Sequence, residues 1–365
     1  MIPARVIHPD FAPGRRILAV SDIHGNLPFF KGLLEKAQFT PDDILVLVGD
    51  MLEKGTQSLE LLRFIMELQK THTVYPLCGN CDGLVLRFFE DDNWDSGFFT
   101  TYLPAHPESI LRQLADEMSF LNWNDLPAFR TALRAYCPEI WQWLKDLPTI
   151  LETEHLVFVH GGVPSLEHME ELDSWKCMKN DDFLGQGHAF SKYVIVGHWP
   201  VTLYNPTIPS AAPLMDHEKK IISIDGGCVL KADGQLNALL LPTESSTEFS
   251  WTAYDGLPSV VALDAQEPST DSVNVRWGRS RLELLEKGEE LSLCRHLETG
   301  RELLILNSYL RDGPRGLWCE DSTDYQLGVV PGERLKLVAS SRQGCLCKKA
   351  GMTGWYYGRI ADTLD

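Results

Sequence analysis

The stretch ILAVSDIHGN, residues 17–26, joins a short apolar run directly to a polar cluster. A run this rich in Ile, Leu and Val predicts a strand that is buried on both faces of a sheet. Asp22 and His24 follow at the carboxyl end of the predicted strand, which is where ligands bind in layered α/β folds. The stretch therefore predicts a fold class and the place of a functional site together.

Five further runs repeat this arrangement: ILVLVGD (44–50), TVYPLCGN (73–80), LVFVHGG (156–162), YVIVGH (193–198) and IISIDGG (221–227). Helical patterns separate several of them, with Asn26 and Pro28 placed to begin one helix. A longer helical insertion covers about residues 100–147, and we expect it to cap the site. The alternation predicts an α/β fold in which helices flank the sheets.

The composition argues against several classes of partner. The formal net charge is -18, which argues against nucleic acid, because phosphate backbones need basic surface. The nine cysteines form an odd set, which favours reduced thiols over a disulfide framework. The sequence shows neither the apolar core of a signal peptide nor a run long enough to span a bilayer. We therefore expect a cytoplasmic protein with neither a nucleic-acid nor a membrane partner.

The sequence changes character after residue 243. Residues 244–258 are polar and predict a linker, whereas residues 259–365 contain short alternating patterns that predict a small all-β domain. Within it, RLELLEKGEELSLCRHLETGRELLI (281–305) aligns with RLKLVASSRQGCLCKKAGMTGWYYG (334–358), which predicts a tandem repeat. The second copy resembles bacterial SH3-like domains. That resemblance implies a protein or peptide partner, and packing on the preceding domain is an equal alternative.

Side chains at the predicted strand ends carry the oxygen and nitrogen atoms that metals bind. If the strands lie side by side, these side chains converge, and carboxylates, an amide oxygen and imidazoles suit Mn, Fe, Zn or Ni. Two metals a few ångströms apart need a bridging ligand, for which a carboxylate on a central strand serves. Asp50 is the natural candidate for that bridge. The set comprises Asp22, His24, Asp50, Asn80, His160 and His198.

The motifs SDIHGN, GDMLEKG, GNCD, HGG and GHW, in this order, resemble those of the calcineurin-like metallophosphoesterases, and within them the PPP-type phosphatases. The family pattern reads GDxHG, GDxVDRG, GNH(E/D), HGG and GH, and the resemblance covers about residues 15–242. GHWP and IDGGCV resemble the bacterial branch that includes diadenosine tetraphosphatases and serine/threonine phosphatases. The resemblance implies a catalytic β-sandwich flanked by helices, with a helical cap, over residues 1–243.

The resemblance also implies a binuclear metal centre. The implied cofactors are two divalent metal ions, with Mn expected first and Fe, Zn or Ni as alternatives. A hydroxide between the metals would attack phosphorus in line. The implied ligands are Asp22 and His24 for one metal, Asp50 as the bridge, and Asn80, His160 and His198 for the other.

Two departures from the family pattern affect the chemistry. Lys54 stands where the family has the arginine that clamps the phosphate, so the charge is kept and the fork geometry is lost; Arg87 is an alternative clamp. Cys81 stands where the family has the histidine that assists the leaving group, and Asp82 is the acid that follows it. A thiol near two cations is a poor proton donor. The predicted catalytic residues are Asp50, Cys81 and Asp82.

The missing histidine narrows the expected substrates. General acid catalysis contributes on the order of 10²–10⁴-fold, so we expect a preference for leaving groups that need little protonation, such as those of aryl phosphates and phosphotyrosine. The leading function is a protein-phosphatase-like phosphomonoesterase, with a phosphorylated protein or a nucleotide as substrate. Hydrolysis of dinucleoside polyphosphates is the first alternative. A non-catalytic scaffold is the second, and the intact ligand set argues against it.

Overall fold

The computed structural model describes residues 2–90 and 96–363, and its contacts divide the chain into two compact units. The ends of the predicted domains at residues 1 and 364–365 lie outside the described residues. The first unit comprises Met1–Trp199, Pro213–Leu230 and Leu236–Tyr254. The second unit comprises Pro200–Ala212, Lys231–Gln235 and Asp255–Asp365.

The strands of the first unit form two sheets. One sheet has the order β11-β10-β2-β3-β4, in which β2, β3 and β4 are parallel. The other has the order β1-β5-β6-β7-β9-β8, in which β6, β7 and β9 are parallel. The strands are β1 (Val6–Ile7), β2 (Ile17–Val20), β3 (Ile44–Leu47), β4 (Thr73–Pro76), β5 (Ile150–Glu152), β6 (Leu156–Val159), β7 (Tyr193–Val196), β8 (Leu214–Asp216), β9 (Ile221–Ser223), β10 (Leu236–Leu241) and β11 (Ser250–Tyr254).

Alternate residues of β2 enter different cores. Ile17 and Ala19 join a core that also contains Phe158 and Ile195 of the other sheet, so the two sheets pack face to face. Leu18, on the opposite face of β2, joins the core that the helices cover. Strands with both faces buried explain the continuous apolar runs in the sequence. The predicted fold class, a sandwich of sheets flanked by helices, is confirmed.

The first three helices of this unit follow strands β2, β3 and β4, and the next four form the insertion. Asn26 caps α1 by accepting a hydrogen bond from the Phe29 backbone N–H. No helix of the described residues has the length and apolar character that crossing a membrane requires. The helices are α1 (Leu27–Lys36), α2 (Ser58–Leu68), α3 (Asn80–Glu90), α4 (Ser96–Ala105), α5 (Ile110–Glu117), α6 (Leu126–Tyr136), α7 (Pro138–Asp146) and α8 (Ser174–Met178).

The insertion, α4 to α7, has an aromatic core. Phe129 of α6 is fully buried, with its ring 5.4 Å from Phe88 of α3 and 5.4 Å from Phe120. Phe88 also meets Phe99 of α4 edge to face, at 4.8 Å. Such pairs add to the free energy gained by burying the rings. The insertion is therefore packed on α3, the helix whose first residue is Asn80.

The second unit is rich in antiparallel strands. Its larger sheet has the order β22-β21-β20-β12-β23, and a smaller sheet has the order β14-β15-β16. The strands are β12 (Ser259–Ala262), β13 (Asn274–Val275), β14 (Leu282–Glu286), β15 (Leu291–His296), β16 (Glu302–Leu306), β17 (Leu310–Gly313), β18 (Gly316–Cys319), β19 (Ser322–Thr323), β20 (Arg334–Ser341), β21 (Gly344–Lys349), β22 (Met352–Tyr356) and β23 (Ile360–Asp362).

The two aligned segments of the second unit share a structural irregularity. The register of β14 against β15 shifts between Leu284 and Glu286, and that of β20 against β21 shifts between Leu337 and Ala339. The two shifts are separated by the sequence offset that aligns one segment with the other. Bulges bend and twist a strand at a defined position. Each segment thus builds the same bent antiparallel strand pair.

The segment for which the sequence predicts a linker contains a strand. Within residues 244–258, β11 pairs with β10 along its length, with Trp251 opposite Leu239. It is the edge strand of the sheet β11-β10-β2-β3-β4. The passage from one unit to the other falls after Tyr254. A polar, Ser- and Thr-rich composition occurs in edge strands as well as in loops, because an edge strand has one unpaired backbone edge that water can reach. Composition therefore does not reveal this pairing.

We expect Phe129→Ala to destabilise the first unit by about 3–5 kcal/mol, because the surrounding rings cannot collapse into the space that the side chain leaves. Leu121→Ala is the control, since Leu121 is 92% exposed and surface substitutions stay within about 0.5 kcal/mol. Urea unfolding followed by tryptophan fluorescence measures both. Equal midpoints for the two variants would contradict the packing described for the insertion.

Candidate metal centre

The carboxyl ends of the parallel strands in both sheets meet at one edge of the sandwich. Asp22 and His24 follow β2, Asp50 follows β3, and Asn80 follows β4; His160 follows β6 and His198 follows β7. Asp22, His24, Asp50 and His198 all have positive φ angles, between 49° and 65°. Non-glycine residues in this region cluster at functional sites, where surrounding contacts hold them.

The two carboxylate oxygens of Asp50 face different histidines. Oδ1 lies 3.4 Å from His160 Nε2, and Oδ2 lies 3.9 Å from His24 Nε2. His24 Nε2 is also 3.7 Å from Asp22 Oδ1, and His160 Nε2 is 3.3 Å from Asn80 Oδ1. Donor atoms therefore form a group on each side of Asp50. This is the arrangement that a carboxylate shared between two cations requires.

His198 completes the group on the Oδ1 side. Ligand atoms of Asp50, His160 and His198 all lie within 4.8 Å of one another, and those of His24, Asp50 and Cys81 do so on the other side. The backbone N–H of His198 donates to Asp22 Oδ2 at 2.9 Å, which connects the ends of strands from the two sheets. The structure thus brings together every side chain of the predicted ligand set.

The partners of the histidines leave ring nitrogens for a cation. His160 Nδ1 lies 2.8 Å from the Val48 carbonyl oxygen; an Nδ1–H donor there leaves Nε2 as the ligand atom. His198 Nε2 lies 2.8 Å from Asp181 Oδ1, which leaves Nδ1. His24 Nε2, which lies 3.7 Å from Asp22 Oδ1 and 3.9 Å from Asp50 Oδ2, is the nitrogen of that ring placed for a cation. Carboxylate, amide and imidazole donors of this kind fit divalent transition metals.

Electrostatics at the centre favour a cation. Burial, with the nearby charge of Asp225, raises the pKa of Asp22 well above its usual range. Burial also opposes ionisation of Asp50, but His160 and His24 lower its pKa on balance. Burial would lower the pKa of His160, yet the charges of Asp50 and Asp22 raise it to about 10. A divalent cation would take the place of the proton that these carboxylates stabilise on His160.

Burial also keeps two of the histidines neutral. It lowers the pKa of His24 and, together with the charges of His160 and Lys179, lowers the pKa of His198 to about 4. Neutral imidazole is the form that binds metals. These two histidines are therefore ready to act as ligands at neutral pH.

Asp82 braces the loops that carry Asp50 and Asn80. Its Oδ1 accepts from the Leu52 backbone N–H at 3.0 Å, and its Oδ2 accepts from Gly79 N–H at 2.9 Å. Burial and the charge of Asp50 raise the pKa of Asp82 to about 7. Its contacts are with backbone, so the structure gives it the geometry of a positioning residue.

Gly79 permits the close approach of these loops. A Cβ at this position would stand 2.1 Å from the Asp50 backbone nitrogen and 2.2 Å from Asp50 Oδ1. The next residue but one, Cys81, donates its backbone N–H to Asp50 Oδ1 at 2.7 Å. Cys81 is 7% exposed, and burial, with Asp50 close by, raises the pKa of its thiol.

The predicted phosphate-binding residues have different surroundings. Lys54 is half-buried, and within the described part of the chain its ammonium makes no hydrogen bond or ion pair. Arg87 lies over the ring of Trp175, 5.0 Å from the ring centroid, in a cavity of about 540 Å³ that is also lined by Cys78 and Met178. The structure thus leaves Lys54 available beside the metal centre and gives Arg87 an aromatic partner.

Sequence reasoning missed Lys179 and Asp181. Lys179 Nζ lies 3.2 Å from His198 Nε2 and 2.7 Å from Asp181 Oδ1. A second ammonium group, besides that of Lys54, therefore lies beside the candidate ligands. Both residues belong to KNDD (179–182), between the HGG and GHW motifs. In the sequence these residues appear only as a cluster of charges. The cluster follows a short helix and not a strand, so the pattern of polar residues at strand ends does not include it.

The chain is similar to known proteins over part of its length. Symmetrical bis(5'-nucleosyl)-tetraphosphatases are similar over part of the chain: that of Erwinia tasmaniensis is 31% identical over 147 residues, 40% of this chain and 43% of that protein. The one from Shewanella frigidimarina is 28% identical over 194 residues, 51% and 60% of the two chains. The chain thus spans about half the length of the curated relatives it matches.

The solved structure of a protein serine/threonine phosphatase from Saccharomyces cerevisiae is similar at 12% identity and a TM-score of 0.43, covering 70% of this chain and 85% of that one. The family model described as calcineurin-like phosphoesterase matches residues 15–218. That match covers more than half of the 365 residues and includes every strand end that supplies a candidate ligand. The chain therefore belongs to the calcineurin-like phosphoesterase family.

Proposed function

We propose that this chain is a two-metal phosphomonoesterase of the PPP type that acts on phosphoproteins, with a relative preference for aryl phosphates such as phosphotyrosine. The observation that carries the proposal is the placement of Asp50, whose two oxygens face His160 and His24 at 3.4 Å and 3.9 Å. A carboxylate placed in this way joins two cation sites. Asp22 and His24 would hold one ion, with Asp50 as the bridge.

The second ion would be held by Asn80, His160 and His198. When bound, two such ions lower the pKa of a water molecule between them and polarise the phosphoryl oxygens. The metal that we propose first is manganese, with iron, zinc or nickel as alternatives that the same donors suit. Asp82 keeps the loops of Asp50 and Asn80 in register through its backbone hydrogen bonds.

Two lysines would bind the phosphate. Lys54 has no hydrogen bond or ion pair within the described residues, and Lys179 stands 3.2 Å from His198 Nε2. Each ammonium is a point charge with rotatable donors, so the pair neutralises phosphate without the fixed fork of an arginine. Arg87 remains an alternative clamp, at the cost of its contact with Trp175.

The preference for aryl phosphates follows from Cys81. Its thiol is buried against Asp50, and burial raises its pKa, so it is a weaker acid than the imidazolium of the histidine that the family has at this position. A phenolate leaves with less help than an alkoxide does. Phosphotyrosine therefore loses less from a missing proton donor at this position than phosphoserine does.

Hydrolysis of dinucleoside polyphosphates is the second candidate function. The curated relatives that are similar over about half their length are named for that activity. A phosphoanhydride also has a leaving group that needs little protonation, so the same reasoning about Cys81 applies to it. A non-catalytic scaffold is the remaining alternative.

We propose a separate role for residues 259–365. The repeated bulged strand pair supports a tandem SH3-like domain that binds a protein or peptide partner. We also propose that residues 1–243 form the catalytic domain and that the protein acts in the cytoplasm on a phosphorylated protein or nucleotide.

Asp50→Asn should abolish binding of at least one metal ion and lower p-nitrophenyl phosphate turnover by more than about 10²-fold, since one amide oxygen cannot bridge two cations. Metal content by mass spectrometry and turnover with added manganese measure this. Asp42→Asn is the control, because Asp42 is exposed before the same strand. A wild-type protein that binds no metal and is inactive with manganese would favour the scaffold.

Substrate profiling should separate the first two functions. We expect phosphotyrosine peptides to be hydrolysed faster than phosphoserine peptides of the same sequence, because phenolate is the better leaving group. Diadenosine tetraphosphate should be hydrolysed more slowly than either if the substrate is a phosphoprotein. Equal rates on the two peptides would contradict the leaving-group argument, and fastest turnover of the dinucleotide would favour the second function.

Lys54→Ala should lower kcat/KM for p-nitrophenyl phosphate by about 10²-fold, because a cation that orients the phosphate and stabilises charge in the transition state is lost. Lys179→Ala should act in the same direction. Lys70→Ala serves as the control, since Lys70 is exposed on the surface and pairs only with Glu67 in the described residues. Unchanged kinetics in both of the first two variants would show that the phosphate is held elsewhere.

A further inference from the structure

The helical insertion is fixed to the loop that follows Asp50. Glu53 is almost fully buried in that loop, and its Oε2 accepts a hydrogen bond from the Tyr102 hydroxyl at 2.5 Å. Its Oε1 accepts from Ser109 Oγ at 2.9 Å and from the Ile110 backbone N–H at 3.0 Å. A buried carboxylate with three donors is held firmly. Residues 102–110 of the insertion therefore have a defined position beside the metal centre.

This segment carries an imidazole paired with a carboxylate. The ring of His106 lies 4.2 Å from the ring of Tyr102, and His106 Nδ1 lies 2.8 Å from Glu108 Oε1. The His106 side chain is 32% exposed and that of Glu108 is 23% exposed. Within the described residues no hydrogen bond engages His106 Nε2. An Nδ1–H donated to Glu108 leaves Nε2 directed away from the pair.

Electrostatic contacts connect this pair with the metal centre. Burial is the largest influence on the pKa values of His24 and Glu108, and the charge of Lys54 acts on both of them. Lys54 therefore lies within interaction range of a metal ligand on one side and of the pair on the other. After burial and Glu53, Cys81 is among the groups that raise the pKa of Tyr102, whose ring lies 4.2 Å from that of His106.

We propose that His106 donates a proton to the leaving group and that Glu108 is the positioning residue that holds its imidazole. The inference rests on the proposed phosphomonoesterase activity. As the bond between phosphorus and the leaving oxygen breaks, its electron pair takes the proton from Nε2–H of the imidazolium. Neutral His106 then regains a proton from water. Imidazole is the side chain that enzymes use most often for this task at neutral pH.

Other groups near Cys81 are less suited to this role. The Tyr102 hydroxyl already donates to Glu53, and burial, with the charge of Glu53, raises its pKa far above the usual range. Cys81 is buried, with 7% of its surface exposed, so its thiol has little access to a leaving group. Lys54 is placed to bind phosphate. Among these groups, His106 is the one whose side chain is partly exposed and whose Nε2 makes no hydrogen bond within the described residues.

If His106 is the proton donor, the wild-type protein should prefer aryl phosphates only modestly, and replacing His106 should increase that preference. His106→Gln should lower kcat/KM for an alkyl phosphate, such as glycerol phosphate, by about 10²-fold or more, since a general acid contributes at least that much. The same variant should keep turnover of p-nitrophenyl phosphate within about threefold of wild type, because p-nitrophenolate leaves unprotonated. Glu108→Gln should show the same selective loss to a smaller extent.

The design separates chemistry from folding. Retained turnover of p-nitrophenyl phosphate shows that each variant is folded and binds metal, and His168→Gln, at an exposed histidine, is the matched control. A variant that combines His106→Gln and Glu108→Gln should lose no more activity on the alkyl phosphate than His106→Gln alone, because the two residues act as one unit. Equal losses on both substrates, or no loss on the alkyl phosphate, would overturn the proposal. A wild-type protein inactive on both substrates would overturn the phosphomonoesterase activity and this inference with it.

Discussion

Asp50 is a buried carboxylate with an imidazole facing each of its oxygens, and much of the first unit is arranged around it. A buried anion is costly unless charges and hydrogen bonds compensate for its lost hydration. Here His160 and His24 do so from opposite sides, and Cys81 N–H donates to Oδ1. The two histidines come from strands in different sheets, so the sandwich must keep both strand ends at the same edge.

The packing between the sheets provides that alignment. Alternate residues of β2, among them Ile17 and Ala19, interlock with Phe158 and Ile195 across the sandwich. Interiors packed at crystal-like density transmit small displacements instead of absorbing them. The left-handed turns at Asp22, Asp50 and His198 then aim the side chains inward. A methyl group at position 79 would collide with Asp50, which shows how little freedom the centre has.

The sequence predicted the features that depend on local pattern. Buried strands appear in the sequence as continuous apolar runs, and polar residues follow directly where parallel strands end. The α/β class and a convergent set of donor atoms could therefore be predicted from residues 17–26 and the five similar stretches. Lys179 and Asp181 could not, because they follow a short helix and approach His198 only in three dimensions. The pairing of β11 with β10 likewise depends on a sheet edge that composition does not show.

Glu53 illustrates the same limit with a functional consequence. In the sequence it is a conservative change within GDMLEKG, one methylene longer than the family's aspartate. In the structure its longer side chain reaches Tyr102 and Ser109 of the insertion, so it fixes the segment that carries His106 and Glu108. Cys81, a small thiol buried beside Asp50, stands where the family has an imidazole. In the mechanism that we propose, the two changes complement each other: one removes a proton donor from the core motif, and the other fixes the cap residues that replace it. Because His106 and Glu108 lie in the insertion and not at the strand ends, a donor placed there leaves the proposed ligand set unchanged.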